Sequence, residues 1–197
     1  MKTLATLTLA ALVALAVPAH AQPEPGDLGM FADAAGTQTT LDVDPFVDFS
    51  VYAVAFDLPD FKAYELSISG VGDLGLIVRD QFLFGPGPIN IGQGAQNYIV
   101  GTGACIEQAG PLAMVELVLL STDPVPADSP MCIGASSPFS LDDPLPAYST
   151  CGNVVVPFGV ATNGGQDYAD GCLILNATST GPVDNETSSF GEVKARF

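Results

Sequence analysis

The feature that most constrains the fold is how often apolar stretches of the chain are interrupted. Short runs of β-branched, aromatic and other apolar residues recur between Gly, Pro, Asp and Asn, and few stretches repeat with the period of a helix. Gly supplies 21 and Pro 16 of the 197 residues, so turns are frequent. This pattern argues against helix bundles and coiled coils and predicts an all-β domain.

The apolar runs have the length and spacing of strands in a two-sheet antiparallel β-sandwich. In 46–57, apolar residues first alternate with polar ones and then occupy both faces, so this strand should be covered at its far end. The Gly-Pro-rich segment 84–88 cannot form a central strand and should connect the two sheets. The predicted strands are 28–32, 37–43, 46–57, 62–69, 74–84, 98–103, 112–121, 131–135, 153–161 and 172–176.

The C-terminal segment alone has clear helical signals. The hydroxyl side chains of 187–189 can cap a helix start, and Glu192 follows Ser189 at the spacing of a capping box. Lys194 and Arg196 would lie at the negative end of the helix dipole. The sequence therefore predicts a short C-terminal helix after the strands.

The N-terminal segment is typical of an export signal. Lys2 precedes an apolar run over 4–17, and Ala19-His20-Ala21 fits a small-x-small cleavage site. The run is too short to span a membrane, although an uncleaved anchor is the alternative. We therefore expect a signal peptide over 1–21, a single β-sandwich domain over 22–197, an extracellular or cell-surface location, and no membrane insertion after cleavage.

Charge and histidine content exclude several functions. The chain has 22 acidic and five basic residues, a formal net charge of -17, so nucleic acids should repel it. Its single histidine, His20, would leave with the signal peptide. Ser-His-Asp and Cys-His catalysis and the usual catalytic zinc sites all need an imidazole, so these classes lose their central group.

The four cysteines of an exported chain predict two disulfides. They are spaced unlike zinc ligands, and no nearby basic group would activate a thiol. Three pairings are possible. We favour Cys132 with Cys151, which bracket the Pro-rich segment 137–148, and hence Cys105 with Cys172.

Several acidic loops are candidate metal sites. Asp42, Asp44 and Asp48 surround Pro45, and closely spaced carboxylates can gather Ca²⁺, the one cofactor that the sequence suggests. The alternative, which we favour, is that they are solvated acids at a bend, since the EF-hand pattern is missing. A second acidic segment, with Asp167 and Asp170, is an equally ranked candidate. A third, with Asp142 and Asp143, is weaker.

Two other residue patterns have both a functional and a bland interpretation. Tyr52 should share the outer face of a strand with Asp48 and Ser50, which would suit a ligand platform, although a half-exposed sheet tyrosine is the commoner explanation. The sequons at Asn176 and Asn185 are interpreted as incidental, because such short patterns arise often by chance.

Three segments carry a resemblance to known proteins. Residues 26–37, with the sequence Gly-Asp-Leu-Gly-Met-Phe-Ala-Asp-Ala-Ala-Gly-Thr, look like the first strand and turn of small exported bacterial β-sandwich proteins, and 97–105 fits a strand ending in a cysteine in the same pattern. Residues 189–194 resemble the aromatic-Gly-x-x-Lys ending of some of them. The resemblance implies a jelly-roll or cohesin-like sandwich, similar to carbohydrate-binding modules. The docking residues of cohesins cannot be matched to this sequence one by one.

These observations favour a secreted or cell-surface, non-catalytic module that binds or adheres to a protein or glycan partner. One alternative is a self-assembling structural subunit, pilin-like or coat-like, which an exposed apolar edge strand would favour. The other, ranked last, is a hydrolase that uses only carboxylates and would need a cleft lined by acids of perturbed pKa.

Overall fold

The structure is a computed structural model that describes residues 23–161 and 170–178. The described part is all-β, and its strands form two sheets packed against each other as a β-sandwich. The strands are β1 (Asp27–Phe31), β2 (Thr40–Leu41), β3 (Asp48–Phe56), β4 (Phe61–Ile68), β5 (Ile77–Leu83), β6 (Ile89–Asn90), β7 (Asn97–Ile106), β8 (Pro111–Leu120), β9 (Ser129–Gly134), β10 (Ala147–Ser149), β11 (Val155–Pro157), β12 (Gly159–Val160) and β13 (Cys172–Leu175). The predicted fold class is confirmed.

The two sheets differ in size and in the way their strands connect. Sheet I has five strands in the order β12-β1-β3-β8-β5, and sheet II has eight. In sheet II, β4 is central. One edge of β4 pairs with β7, and β6 lies beyond β7. The other edge of β4 pairs first with β10, which is followed outward by β11, and then with β9, which is followed outward by β13 and β2. Most neighbours are antiparallel, but β1–β12 and β2–β13 are parallel. The sheets are therefore mixed, which corrects the purely antiparallel prediction.

The core lies between the sheets and follows the alternation of each strand. Val51 and Ala53 of β3 and Leu117 of β8 are fully buried on the inner face of sheet I. Tyr64 of β4 lies in the same core and donates its hydroxyl hydrogen to the Met114 carbonyl of β8 at 2.7 Å, which joins the two sheets directly. Buried polar groups that find such partners cost little stability.

A second, smaller apolar cluster covers one end of the outer face of sheet I. Phe31, Val54, Phe56 and Ala161 are buried there, and Tyr52 packs against them. The prediction that the far end of the 46–57 strand is covered on both faces is confirmed. The rest of the outer face of β3 lies closer to solvent.

The connection through 84–88 joins the sheets as predicted, because it leads from β5 in sheet I to β6 in sheet II. Gly85 has φ 136°, and a Cβ there would lie 3.0 Å from the Thr102 carbonyl oxygen of β7. A larger residue would push this connection away from the sheet.

Other strand predictions differ in extent from the structure. The predicted strand 37–43 is reduced to β2, and 153–161 divides into β11 in sheet II and β12 in sheet I, with the buried Phe158 between them. The two short strands β6 and β10 were missed because Gly and Pro surround them. The predicted C-terminal helix and the predicted signal peptide lie outside the described residues.

Both predicted disulfides form, but the favoured pairing is wrong. Cys132 pairs with Cys172, and Cys105 pairs with Cys151. Cys132 and Cys172 are register partners on β9 and β13, with Cα atoms 4.2 Å apart. The Pro-rich segment 137–148 looks like a loop closed by Cys132 and Cys151, but it contains the start of β10, which pairs with β4 and leads directly to Cys151. Two disulfides are compatible with an extracellular protein.

Candidate functional site

The three aspartates proposed for calcium do not converge in the structure. Asp42 and Asp44 are exposed on either side of the buried Val43, beyond the end of β2, and Asp48 opens β3. Asp48 lies 3.8 Å from the Arg79 guanidinium on β5. In the part of the chain that the structure describes, their carboxylate oxygens do not form a group close enough to share one ion. Calcium binding here stays a prediction.

The other acidic candidates are scattered. Asp142 and Asp143 are exposed in the loop before β10, Asp170 is exposed just before β13, and Asp167 lies outside the described residues. Asp60 is the one carboxylate in the described ranges that shares a close group with two cysteines, Cys105 and Cys151. These sulfurs form a disulfide and are not thiolates, so the group lacks the ligands that a metal would need.

A row of aromatic and acidic side chains crosses the outer face of sheet I. Tyr52 of β3 pairs in register with Glu116 of β8, and Glu116 pairs with Phe82 of β5. On the other side Tyr52 pairs with the buried Phe31 of β1. Phe82 is 53% exposed, while Tyr52 and Glu116 are half-buried. We call Tyr52, Glu116 and Phe82 the sheet I row.

Hydrogen bonds fix Glu116 within this row. Its Oε1 accepts from the Ser50 hydroxyl and from the Tyr52 hydroxyl, each at 3.1 Å. Among the described residues no donor bonds to Oε2, so this oxygen can accept from a ligand. Burial, together with Glu116, raises the pKa of the Tyr52 hydroxyl, which therefore remains a donor at neutral pH.

A second acid lies near the row. Asp33, in the turn after β1, accepts from the Thr37 amide at 2.7 Å and from the Gln38 amide at 3.1 Å. Burial raises its pKa, but these bonds and the one from the Thr37 hydroxyl outweigh burial and leave the pKa below its ordinary value. Asp33 thus stays ionised and contributes negative potential to the Tyr52 hydroxyl.

The outer face of sheet II is different, because it has one buried carboxyl group among small, apolar and serine side chains. Glu65 of β4 points away from the core and lies between its register partners Ile99 of β7 and Ala147 of β10. It is 5% exposed and lines a cleft of about 90 Å³. The cleft is lined by Ala63, Tyr64, Glu65, Ile99, Ser140, Ala147, Tyr148, Ser149 and Val155. We call it the Glu65 cleft.

The loop before β10 supplies the hydrogen bonds to Glu65. The Ser140 amide donates to Oε1 and the Ser140 hydroxyl donates to Oε2, both at 2.8 Å. The described part of the chain contains two basic residues, and both have other partners. Lys62 donates to the Asn153 carboxamide oxygen, and Arg79 lies beside Asp48. Glu65 is therefore a buried carboxylate whose hydrogen-bond donors are neutral.

Two carboxyl groups of the described residues, Asp33 and Asp128, have lowered pKa values, which does not suit a general acid. Backbone and hydroxyl hydrogen bonds from Thr178 lower the pKa of Asp128, as those from Thr37 and Gln38 lower that of Asp33. A general acid working near neutral pH needs a raised pKa. Neither group has the property that the hydrolase alternative requires.

Asn176, the first residue of a sequon, has a structural role. Its carboxamide oxygen accepts from the Val43 amide, and its carboxamide nitrogen donates to the Val125 carbonyl, both at 2.8 Å. Attachment of a glycan would compete with these bonds. The interpretation of this sequon as incidental stays a prediction.

Tyr52 and Ser50 could be selected from the sequence, whereas Glu116, Phe82 and Glu65 were missed. Glu65 shares β4 with Lys62 and gave no clear signal, but Glu116 is the single charged residue of an otherwise apolar strand. Such a residue either faces solvent or has a specific partner. Phe82 lies beside Glu116 because β5 pairs with β8, and this pairing could not be predicted from the sequence.

Comparisons of the chain with protein families, with curated proteins and with solved structures gave no match. The resemblance to cohesin-like sandwiches therefore stays a prediction. Within the described residues, no helix has the length and apolar character needed to cross a membrane.

Proposed function

We propose that the protein is a secreted or cell-surface, non-catalytic β-sandwich module that binds a glycan through the sheet I row. The observation that carries this proposal is the register of Tyr52, Glu116 and Phe82, which sets a carboxylate between two aromatic rings on one open face. Secretion is supported by the signal-like segment 1–21 and by the two disulfides.

The row offers the two interactions that sugar rings use. Aromatic rings present apolar area with a polar edge, and the exposed Phe82 and half-buried Tyr52 can stack against the apolar face of a sugar. Neighbouring strands are about 4.8 Å apart, so the rings of the outer two residues stand about 10 Å apart. A sugar placed between them would donate a hydroxyl hydrogen to Glu116 Oε2.

Glycan arrays probed with residues 22–197 test this proposal. Phe82→Ala and Glu116→Gln should each lower binding to the glycans that the unchanged protein selects, by about tenfold or more. Phe46→Ala is the matched control, because this phenylalanine is 75% exposed in the loop before β3 and is outside the row. Equal binding by Phe82→Ala and the unchanged protein would contradict the proposal.

The edges of sheet I disfavour the alternative of a self-assembling surface subunit. β5 is the long edge strand of this sheet; it carries Arg79 and Asp80 and has an irregular register between Val78 and Asp80. Charges and bulges on an edge strand hinder its pairing with another chain. We expect a monomer in size-exclusion chromatography with light scattering, and a large polymer would favour the alternative.

Calcium binding by Asp42, Asp44 and Asp48 has a separate test. We expect equal melting temperatures in CaCl₂ and in NaCl of matched ionic strength, because both salts screen the net charge of -17. Specific binding would add RT ln(1 + [L]/Kd), about 2.7 kcal/mol at a hundredfold excess over Kd. A calcium-specific rise in melting temperature that disappears in Asp44→Asn would establish the site.

A further inference from the structure

We propose that the Glu65 cleft binds a lysine or arginine side chain, flanked by apolar residues, from a partner protein. The cleft lies on the outer face opposite to the sheet I row, so this site is independent of the proposed glycan site. Three observations support the proposal: the burial and bonding of Glu65, the shape of the cleft, and the apolar residues around it.

Glu65 is a buried carboxyl group that forms no ion pair among the described residues. Its side chain is 95% buried, and its two bonds in the described structure come from the neutral Ser140 amide and hydroxyl. Buried charges in proteins are generally paired, since burial removes the water that would stabilise them. A carboxylate has about four acceptor positions, so two remain for a cation that enters the cleft.

The shape of the cleft suits a long, thin side chain. Its volume of about 90 Å³ is well below the roughly 300 Å³ at which pockets for drug-sized ligands begin. The small residues Ala63 and Ala147 leave room beside Glu65, and Ile99 and Val155 add apolar side chains to the lining. An alkyl stem can lie along such walls while its charged end reaches the carboxylate.

The apolar surface continues beyond the cleft. Ile89 of β6 pairs with Gly101 of β7, which pairs with Ala63, and Ile91 donates its amide hydrogen to the Ile99 carbonyl at 2.9 Å. Ile89 and Ile91 are 67% and 69% exposed. Exposed apolar residues around a buried polar centre are typical of protein interfaces, in which a few central residues dominate affinity.

Charge complementarity identifies the occupant. The chain has a net charge of -17, and the centre of this face is a carboxylate without a cation among the described residues. A purely apolar segment would cover Glu65 without pairing it, which costs free energy, whereas a basic side chain would pair it. The partner is therefore a protein segment with one basic residue between apolar ones.

A pair of synthetic peptides tests the proposal on residues 22–197. The first peptide is capped Val-Leu-Lys-Val-Leu, and the second has norleucine in place of lysine, which keeps the stem and removes the ammonium group. We expect the lysine peptide to bind about tenfold more tightly in titration calorimetry, since hydrogen bonds to charged groups are the strong ones. Equal affinities would overturn the proposal.

Variants of the protein distinguish binding at the cleft from nonspecific attraction of a basic peptide to an acidic protein. Glu65→Gln keeps the side-chain shape and should remove the preference for lysine, whereas Glu116→Gln removes the same charge from the opposite face and should retain it. If Glu65→Gln still prefers the lysine peptide to the norleucine peptide, the cleft is not the binding site. Equal loss of this preference in Glu116→Gln would also contradict binding at the cleft.

The chain's own C-terminal basic residues are the competing occupant. If Lys194 or Arg196 fills the cleft, the lysine peptide should bind only when both are replaced by glutamine. That result would overturn the assignment to a partner protein. Binding to the unchanged protein with the tenfold preference supports the assignment.

Discussion

The two outer faces of the sandwich each carry one glutamate, on β8 in sheet I and on β4 in sheet II, and they hold it in different ways. Glu116 of sheet I is half-buried and bonds through one oxygen to hydroxyls of the adjacent strand, Ser50 and Tyr52. Glu65 of sheet II is almost fully buried, and both of its oxygens bond to Ser140 in a loop. The comparison shows that the same residue type bonds to a neighbouring strand on one face and holds a loop on the other.

The faces also differ in covalent support. Cys105 lies on β7 and Cys151 follows β10, and these two strands flank β4 on either side of Glu65. The disulfide therefore links the two walls of the Glu65 cleft. In the described ranges both bridges join strands or turns of sheet II, and the sheet I row depends on hydrogen bonds and register alone.

Removal of the bridge across the cleft should have the largest effect. Cys105→Ser with Cys151→Ser should lower the free energy of unfolding by roughly 2–4 kcal/mol, because a cross-link over 46 residues restricts the unfolded chain. Urea unfolding of the secreted protein measures the change. Peptide affinity at the cleft should fall while glycan binding at the sheet I row remains. Equal loss at both faces would remove the distinction between them.

Loss of the buried carboxylate should have the next largest effect. Glu65→Ala leaves the Ser140 amide and hydroxyl without their acceptor, so we expect the free energy of unfolding to fall by about 1–3 kcal/mol. Hydrogen exchange at the Ser140 amide should become faster. A loss within about 0.5 kcal/mol, the usual range for surface substitutions, would show that the loop is held by other contacts.

The corresponding change on sheet I should be smaller. Glu116→Ala should lower the free energy of unfolding by less than about 1 kcal/mol, because the half-buried Ser50 and Tyr52 hydroxyls can turn toward water. Urea unfolding beside Glu65→Ala gives the comparison directly. Equal losses in the two variants would mean that the two glutamates contribute alike despite their different burial.

The smallest effect concerns the Tyr52 hydroxyl. Burial raises its pKa, and the negative charge of Glu116 raises it further, so Glu116→Gln should lower this pKa toward its ordinary value. Ultraviolet titration of tyrosinate measures the shift. An unchanged Tyr52 pKa would mean that Glu116 is farther from the hydroxyl, on average, than 3.1 Å.

Tyr98 provides the internal reference for this titration. Burial raises its pKa to about 12, and its hydroxyl bonds to Gln81 between the sheets, away from Glu116. Its pKa should not respond to Glu116→Gln. Since an unfolded tyrosine ionises near pH ~10, the stability that Tyr98 contributes is complete below that pH and is lost as the pH rises toward 12.

The alternation of residues allowed much of the fold to be predicted. In β3 the inward Val51 and Ala53 and the outward Ser50 and Tyr52 follow directly from the period of a strand. The Gly-Pro segment 84–88 marked the change of sheet for a steric reason, since proline cannot donate to a ladder. These are local properties, and local sequence determines them.

The errors came from contacts between distant segments. Cys132 faces Cys172 because β9 pairs with β13, and Cys151 reaches Cys105 because β10 and β7 both pair with β4. Glu116 meets Phe82 only through the pairing of β8 with β5. No local pattern specifies which strands become neighbours, so the disulfide pairing and the members of both sites required the structure.

The parallel pairing of β2 with β13 has a consequence for the order in which the chain can fold. Thr40 is opposite Ile174, so sheet II remains incomplete on the ribosome until the last described strand has been synthesised. Cys105 and Cys132 emerge before either native partner, and oxidation at that stage can join them only to each other. A chain that forms this non-native bridge needs thiol–disulfide exchange to reach the native ones, first with Cys151 and then with Cys172 of β13.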